Sequence, residues 1–293
     1  KGYNGTAWND LTGGDGMETI IDPTNASIGY ASYAKGEIYR TSNQWSNYST
    51  IVNTNGTGVN AEGEWITPYI LHPAFNTTIL VGKSQVYKSI NSGTTWSQLG
   101  TITLPIGEKI RHITYAPSNT NIIYVASRTA LFKTTDGGIT WVSLGTTGTT
   151  PISYIFTHPT NANLVYLTLG GYEATDKVYS VNSQLLPATL TNLTGTLPNV
   201  PANCIVYQKN TNDALYIGTD VGVFYRNGNM TDWIPYQTNL PNVIVSELEI
   251  SYINNKLWAA TFGRGLWNTD LYTSLPLSLL EFTASLSNKE VQL

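Results

Sequence analysis

Short apolar runs recur along the whole chain, and polar turns rich in Pro and Asn separate them. One such turn is Asp22-Pro23-Thr24-Asn25, which comes just before the apolar run at 28–32. Pro presets φ for a turn, and Asn supplies local hydrogen bonds or a left-handed residue, so each pair of runs reads as a hairpin. No stretch has the apolar spacing of a helix. The pattern therefore predicts an all-β fold of short strands.

The same Pro/Asn turn marks a repeat. Copies start near residues 22, 72, 116, 158, 209 and 253, and an apolar run flanks each copy on both sides. Predicted third strands follow at 37–41, 85–89, 130–134, 177–181, 223–227 and 266–269, and predicted fourth strands carry Trp45, Trp96, Trp141 and Trp233. Six units of four strands with a period of about 40–50 residues are typical of a β-propeller. We expect about six blades, each covering the face of the next.

The two ends of the repeat region leave two arrangements open. The sixth unit, 243–270, has no fourth strand with a Trp, whereas residues 7–11 form an extra fourth strand before the first unit. Pairing of these two ends would close a six-bladed ring and remove its free edges. Alternatively, residues 7–11 end a blade whose earlier strands are missing, and the ring has seven or more blades.

The character of the chain changes after the sixth unit. We predict a propeller over 1–271 and, over 272–293, a linker with the first strand of a truncated β-sandwich module. The segment 275–284, LPLSLLEFTA, resembles the opening of a module in secreted Bacteroidetes proteins that precedes a type IX sorting domain. Residues 257–267, and 13–16 leading into 21–25, resemble propeller repeats of the same proteins. The resemblance implies a secreted or outer-membrane-attached cell-surface protein that engages the type IX secretion machinery.

One octapeptide occurs twice at matching places. It reads SINSGTTW at 89–96 and TTDGGITW at 134–141. The pattern resembles the Asp box, or BNR repeat, of sialidase-like and sortilin-like propellers. Its members have turn roles, because the acid or amide accepts from turn amides, glycine tolerates unusual φ and Trp anchors the turn. The predicted structural residues are Ser89, Asn91, Gly93, Trp96, Thr134, Asp136, Gly138 and Trp141.

Composition excludes several functions. The net charge is −4 and there is no basic block, which disfavours nucleic-acid binding. One cysteine allows no intrachain disulfide, and no ligand cluster for a metal is visible. No apolar run approaches the ~20 residues of a membrane span. We expect no cofactor and no metal.

Propellers bind ligands at the end where the blade-to-blade loops meet the second-to-third strand turns. Carboxylates, arginines and aromatic rings around one opening suit a sugar, because rings stack on its CH faces and charged groups bind hydroxyls. The predicted binding residues are Glu18, Tyr33, Glu64, Trp65, Arg111, Arg128, Tyr172, Glu173, Asp176, Phe262 and Arg264. We expect a polysaccharide or a surface glycoprotein as the ligand, and a binding or adhesin role.

Two other functions stay open. Residues 219–226 resemble a segment of xyloglucanase-type propellers that carries an aspartate, although the second Gly and the Trp of that segment are missing. This makes Asp220, with Asp15, a candidate catalytic residue of a glycoside hydrolase, while the Arg-Ile-Pro context typical of sialidases is absent. The third possibility is a structural blade array in a larger surface protein. The sequence favours binding over catalysis.

Overall fold

Six antiparallel sheets follow one another along the chain in the computed structural model, which describes residues 2–3, 8–9, 12–53, 56–273, 285–287 and 290–292. A first pair of strands, β1 (Gly2–Tyr3) and β2 (Trp8–Asn9), precedes them. Blade 1 consists of β3 (Thr19–Ile21), β4 (Gly29–Tyr33), β5 (Glu37–Thr41) and β6 (Ser49–Val52). Blade 2 consists of β7 (Tyr69–Leu71), β8 (Ile79–Gly82), β9 (Val86–Ser89) and β10 (Ser97–Leu99).

The next three blades repeat this plan. Blade 3 is β11 (His112–Tyr115), β12 (Ile123–Ala126), β13 (Ala130–Thr134) and β14 (Val142–Thr146). Blade 4 is β15 (Ile152–Thr157), β16 (Leu164–Leu169), β17 (Val178–Asn182) and β18 (Thr189–Asn192). Blade 5 is β19 (Ala202–Gln208), β20 (Ala214–Thr219), β21 (Gly222–Arg226) and β22 (Ile234–Pro235).

Blade 6 has three strands in the described part of the chain. They are β23 (Val245–Ser251), β24 (Lys256–Thr261) and β25 (Gly265–Asp270). A last hairpin, β26 (Ser285–Ser287) with β27 (Glu290–Gln292), comes after it. Within each blade the strands pair in chain order, and the first strands of blades 3 to 6 contact one another in succession. The architecture is a six-bladed β-propeller with the first strand of each blade innermost.

The hydrophobic core consists of separate clusters between neighbouring blades. Between blades 3 and 4 the cluster contains Tyr124, Ile155 and Val165, and between blades 5 and 6 it contains Tyr216 and Leu257. A short strand has two faces, so one sheet cannot bury both without a neighbour on each side. The fold is therefore held together by a series of blade-to-blade seams.

The predicted third strands and the structure agree closely, whereas the fourth strands do not carry the predicted Trp45, Trp96, Trp141 and Trp233, which all precede them in the third-to-fourth turns. The predicted all-β propeller is confirmed, and the predicted third strands at 37–41 and 130–134 match β5 and β13 at both ends. In the described ranges the helical content is one turn of 3-10 helix at Ala34–Gly36. Apolar runs predicted these strands, and the spacing of the Pro/Asn turns placed them.

The predicted closure by residues 7–11 is not what the described residues show. Trp8–Asn9 pairs with Gly2–Tyr3 as a hairpin, and β25 is the last described strand of blade 6. A local hairpin needs a much shorter chain closure than a partner at the other end of the chain. Residues 7, 10 and 11 lie outside the described residues, as does the predicted segment 275–284, so the proposed domain boundary stays a prediction.

Candidate ligand-binding site

The strand order brings two kinds of loop to one end of the propeller, which we call the loop face. Each first strand starts there, so the second-to-third strand turns and the loops that enter each blade lie at that end. The first-to-second turns and the third-to-fourth turns lie at the opposite end. The predicted binding residues all lie in, or directly beside, loops and turns of the loop face. Their common placement follows from the antiparallel topology.

Aromatic rings are exposed on this face. Tyr33, Trp65, Tyr172 and Phe262 are 36%, 55%, 70% and 76% exposed. The described chain has seven exposed aromatic side chains, and these are four of them; the other three are Tyr48, Phe75 and Tyr252. Singly exposed rings are common on protein surfaces, but four of them at one end give that end several apolar surfaces for stacking. The face therefore offers stacking surfaces from blades 1, 4 and 6 and from the loop between blades 1 and 2.

The predicted charged residues lie in different surroundings. Glu18, Arg128, Glu173 and Arg264 are exposed, whereas Glu64, Arg111 and Asp176 are half-buried. The structure brings Glu173 and Asp176 close to the buried Lys177. Burial lowers the pKa of Lys177, and the nearby carboxylates of Glu173, Asp176 and Asp220 act in the opposite direction. These acids hold a buried cation as well as facing the solvent.

The loops of this face are tied to one another. Glu62 accepts ion pairs from Lys35 at 2.7 Å and from Lys109 at 3.1 Å, which joins loops of three neighbouring blades. Glu108 accepts hydrogen bonds from Ser127 and from the backbone and hydroxyl of Thr129. Exposed ion pairs add little stability, but a connected network limits loop motion. The loops that carry Tyr33 and Trp65 are thus connected to each other and to the loop that enters blade 3.

A second group of residues lines the central channel below the face. Glu18 precedes the inner strand of blade 1, and Glu247 and Glu249 lie on the inner strand of blade 6. The Tyr154 hydroxyl donates to Oε1 of Glu247 over 2.9 Å, and the His112 ring lies 5.6 Å from the Tyr154 ring. We call Glu18, His112, Tyr154, Glu247 and Glu249 the channel cluster. It joins the inner strands of blades 3, 4 and 6 with the start of blade 1.

The channel cluster has strongly shifted pKa values. Burial raises the pKa of Glu247 to about 7; the Tyr154 hydrogen bond acts against this, and the charges of Glu18 and Glu249 add to it. Burial and Glu249 also raise the pKa of Glu18, although its side chain is accessible from the channel. Burial and the charge of Arg111 lower the pKa of His112 to about 4. In the described chain no cation forms an ion pair with these glutamates.

Sequence reasoning considered His112 alone and missed Tyr154, Glu247 and Glu249. A signal was present, because Glu247 and Glu249 are two residues apart in a strand whose Val245 and Leu248 are buried. Residues two apart on a strand share one face. Two acids on one face of an inner strand indicate a polar channel. What the sequence could not show is that Glu18 and Tyr154 come from distant positions to meet them.

The two predicted catalytic candidates do not form a pair. Asp15 is exposed in the loop before blade 1. Asp220 lies in the β20–β21 turn, where its Oδ1 accepts a hydrogen bond of 2.9 Å from Asn203. No described contact joins the two. Neither position has the surroundings of a general acid, whereas Glu247 does.

The two octapeptides form matching turns at the opposite end. The Thr134 hydroxyl accepts from the backbone of Asp136 and Gly138, and Asp136 accepts from the backbone and hydroxyl of Thr140. In the first copy Ser89 and Asn91 make the corresponding contacts with Gly93 and Thr95. Every defined position has a turn role, so these residues bring no chemistry to the loop face.

Comparison with known proteins gives the fold and no family. No family model matches the chain, and no curated protein matches it. Among the described residues, no group of three or more His, Cys, Asp or Glu could hold a metal ion. A search of the described residues also found no helix long and apolar enough to cross a membrane.

Several solved structures share the propeller. A GH74 enzyme from Niastella koreensis is 18% identical with a TM-score of 0.66, over 87% of this chain and 45% of that one. The GH74 xyloglucanase from Xanthomonas campestris is 15% identical with a TM-score of 0.65, over 90% of this chain and 45% of that one. YCF48 bound to D1 peptide is 12% identical with a TM-score of 0.59, over 86% and 80% of the two chains.

These likenesses show the fold alone. The chain spans about half the length of the GH74 enzymes that it matches. Propellers carry unrelated functions on one scaffold, so the site must decide the function.

Proposed function

We propose that this protein is a glycan-binding module of the cell surface or the secreted fraction, exported by the type IX secretion system, and that the loop face binds the glycan. The observation that carries the binding role is the set of four exposed aromatic rings at this end. Rings such as Trp65 and Tyr172 stack on the CH faces of sugars, and neighbouring carboxylates accept hydrogen bonds from hydroxyls. The GH74 structures are further support, since they show this fold in carbohydrate-active enzymes.

The charge of the loop face narrows the ligand. Glu18, Glu173, Asp176, Asp220, Glu247 and Glu249 all lie at this end or in the channel below it. Arg111, Arg128 and Arg264 also lie on this face, but Glu18, Glu247 and Glu249 repel one another and would repel a uronate or a sulfate placed above the channel. The ligand of this face is therefore a neutral polysaccharide or the neutral glycan of a surface glycoprotein.

Affinity electrophoresis in gels that contain neutral plant, algal or host polysaccharides tests the proposal. We expect the wild-type chain to be retarded by one of them, and Trp65→Ala and Tyr172→Ala to abolish or strongly reduce the retardation. Phe75→Ala is the matched control, because Phe75 is 64% exposed but lies at the opposite end. Equal retardation of all three variants would place binding elsewhere, and no retardation by any polysaccharide would refute glycan binding.

Glycoside hydrolysis is a second candidate because of Glu247. A carboxyl group with a pKa of about 7 beside two further carboxylates has the properties of a general acid with an ionised partner. Reducing-end release from the same polysaccharides, with Glu247→Gln alongside, tests this activity. Release that Glu247→Gln abolishes would establish hydrolysis, whereas retardation without release leaves the binding module.

A further inference from the structure

A groove runs between the outer part of blade 1 and the first octapeptide turn of blade 2, away from the channel. Its volume is about 490 Å³, within the usual range for small-ligand sites. It is lined by Arg40, Ser49, Thr50, Ile51, Thr57, Gly58, Asn91, Ser92, Gly93 and Thr94. Arg40 is the one charged residue of this lining, and no carboxylate is among the lining residues. We call this space the blade 1–2 groove.

Arg40 is unusual because its Nε is enclosed and has no hydrogen-bond partner in the described chain. Blade 3 provides an internal comparison, since Lys133 occupies the matching position on its third strand. Lys133 Nζ donates to Asn163 Oδ1 at 2.7 Å and to the Ser183 carbonyl at 3.0 Å, both on blade 4. The cation of blade 3 therefore has hydrogen-bond partners on blade 4. The Nε of the matching cation of blade 1 has none among the described residues and can bind a ligand.

The residue opposite each cation shows the same contrast. Tyr30 pairs with Arg40 across β4 and β5, and Tyr124 pairs with Lys133 across β12 and β13. The Tyr124 hydroxyl lies 2.9 Å from the Ala162 carbonyl and 2.7 Å from Ser183 Oγ. Among the described residues the Tyr30 hydroxyl has no hydrogen-bond partner, although Tyr30 is only 1% exposed. Two unpaired buried donors on one sheet face are costly, and such groups are rare in native proteins.

The residues at the bottom of the groove are well packed and hydrogen-bonded, so the groove is not the result of a packing defect. The Trp96 indole donates to the Ile51 carbonyl at 3.2 Å and to the Gly93 carbonyl at 3.1 Å. Gly93 has a φ of +89°, and a Cβ there would lie 2.6 Å from the Ile51 side chain. The turn of blade 2 is therefore locked against blade 1. The groove keeps its shape without a ligand.

The remaining lining is rich in free hydroxyl groups. The side chains of Ser49, Thr57 and Ser92 make no hydrogen bonds within the described part of the chain, and Ser49 lies directly opposite Arg40 on the same sheet face. A guanidinium group binds oxyanions through several parallel donors, and hydroxyls both donate to and accept from the hydroxyls of a sugar. One cation surrounded by free hydroxyls suits a sugar ring that carries an oxyanion.

We propose that the blade 1–2 groove binds an acidic saccharide unit, with its carboxylate or sulfate on Arg40 and its ring hydroxyls on the serine and threonine side chains. The site is separate from the loop face and does not depend on the function proposed there. Its ligand is also of the opposite kind, since the acids of the loop face disfavour an anion. One chain would then hold a neutral and an acidic glycan at two places.

Isothermal titration calorimetry at low salt with the full chain tests the proposal. The probes are digalacturonate, a sulfated galactose disaccharide, the neutral disaccharide cellobiose and inorganic sulfate. We expect one acidic disaccharide to bind measurably more tightly than both cellobiose and inorganic sulfate. Arg40→Gln should weaken that binding roughly ten- to hundredfold, as loss of a hydrogen bond to a charged group does.

Lys88→Gln is the matched control, because Lys88 occupies the corresponding third-strand position of blade 2 outside the groove. It should leave affinity unchanged, and both variants should keep the wild-type melting temperature. Thr57→Val gives a second readout, because it removes one groove hydroxyl without changing the charge.

The assignment fails if neither acidic disaccharide binds, if Arg40→Gln binds as tightly as wild type, or if sulfate binds as tightly as the disaccharides. Trp65→Ala should leave groove binding intact, so the loop-face proposal can fail separately.

Discussion

Two blade-to-blade seams of the propeller contain a tyrosine and a cation at matching positions, but the hydrogen bonding of these side chains differs between the seams. In the blade 3–4 seam, Tyr124 and Lys133 are buried and every polar group finds a partner on blade 4. In the blade 1–2 seam, the Tyr30 hydroxyl and the Arg40 Nε have no hydrogen-bond partner in the part of the chain that the structure describes. The apolar packing beside both is complete, since the neighbouring core residues are buried in each. A repeat therefore conserves its hydrophobic seam while the polar positions beside it differ.

The largest expected effect separates the two cations. Lys133→Met should lower the free energy of unfolding by about 2–3 kcal/mol, because the Asn163 side chain and the Ser183 carbonyl lose a donor. Arg40→Met should change it by less than about 0.5 kcal/mol, because the Arg40 Nε donates no hydrogen bond within the described part of the chain. Urea unfolding of both variants and the wild type measures the difference. Equal losses would show that the two seams are energetically alike.

Two glutamates also differ in how the protein compensates their charge. In the described chain Glu247 forms no ion pair with a cation, whereas Glu108 accepts three hydrogen bonds. A pKa raised from 4.5 to about 7 means that the folded state holds the proton more tightly. The contribution of Glu247 to stability is then complete below pH 4.5 and is lost as the pH rises to about 7, by roughly 2 kcal/mol between pH 5 and 8. Glu247→Gln should remove most of this slope in urea unfolding.

Glu108→Gln is the control for that measurement. The hydrogen bonds from Ser127 and Thr129 outweigh burial and hold the pKa of Glu108 below its ordinary value. Its contribution is complete above that value, so the variant should be less stable by a constant amount between pH 5 and 8. A slope that survives in Glu247→Gln would mean that another group titrates.

Removing the hydroxyl groups of Tyr124 and Tyr30 should change the free energy of unfolding less than the substitutions of Lys133 and Glu247 do. Tyr124→Phe should cost about 1 kcal/mol, because the Ala162 carbonyl and Ser183 lose a buried hydrogen bond. Tyr30→Phe should be neutral or slightly stabilising, because it removes a buried hydroxyl that has no partner. Thermal unfolding of Tyr124→Phe, Tyr30→Phe and the wild type measures these two changes in stability. A loss in Tyr30→Phe as large as that in Tyr124→Phe would reveal an unseen partner, such as an ordered water.

The smallest effect compares the two octapeptide turns. Hydrogen bonds from Thr140 and Thr134 hold the pKa of Asp136 well below its ordinary value of 3.8. Stability from this group is present above that pH and is lost as the pH falls further. Asp136→Asn should make the melting temperature fall less between pH 5 and 2.5. The first copy already has Asn91, so Asn91→Gln should leave that dependence unchanged.

Local pattern was enough for the strands and the turns. Apolar runs and Pro/Asn turns predicted β5 and β13 at both ends, because strand-forming runs and turn chemistry are properties of neighbouring residues. The placement of Tyr33, Trp65, Tyr172 and Phe262 at one end also followed, since antiparallel order alone puts those loops together. The sequence did not predict the pairing of Trp8–Asn9 with Gly2–Tyr3. A strand at residues 8–9 can pair with a nearby segment or with blade 6 at the other end of the chain, and its sequence is compatible with both.

The sequence by itself determined the all-β repeat, the number of units that it contains and the end that carries the exposed rings. Only the tertiary structure decided which side chains meet across blades. It placed Glu18 beside Glu247 and Glu249, brought the Tyr154 hydroxyl to Glu247, and left Arg40 without the contacts that Lys133 has. The physical reason is that strand formation depends on neighbours in sequence, whereas hydrogen bonding and pKa values depend on distances between residues that only the closed packing of the blades sets.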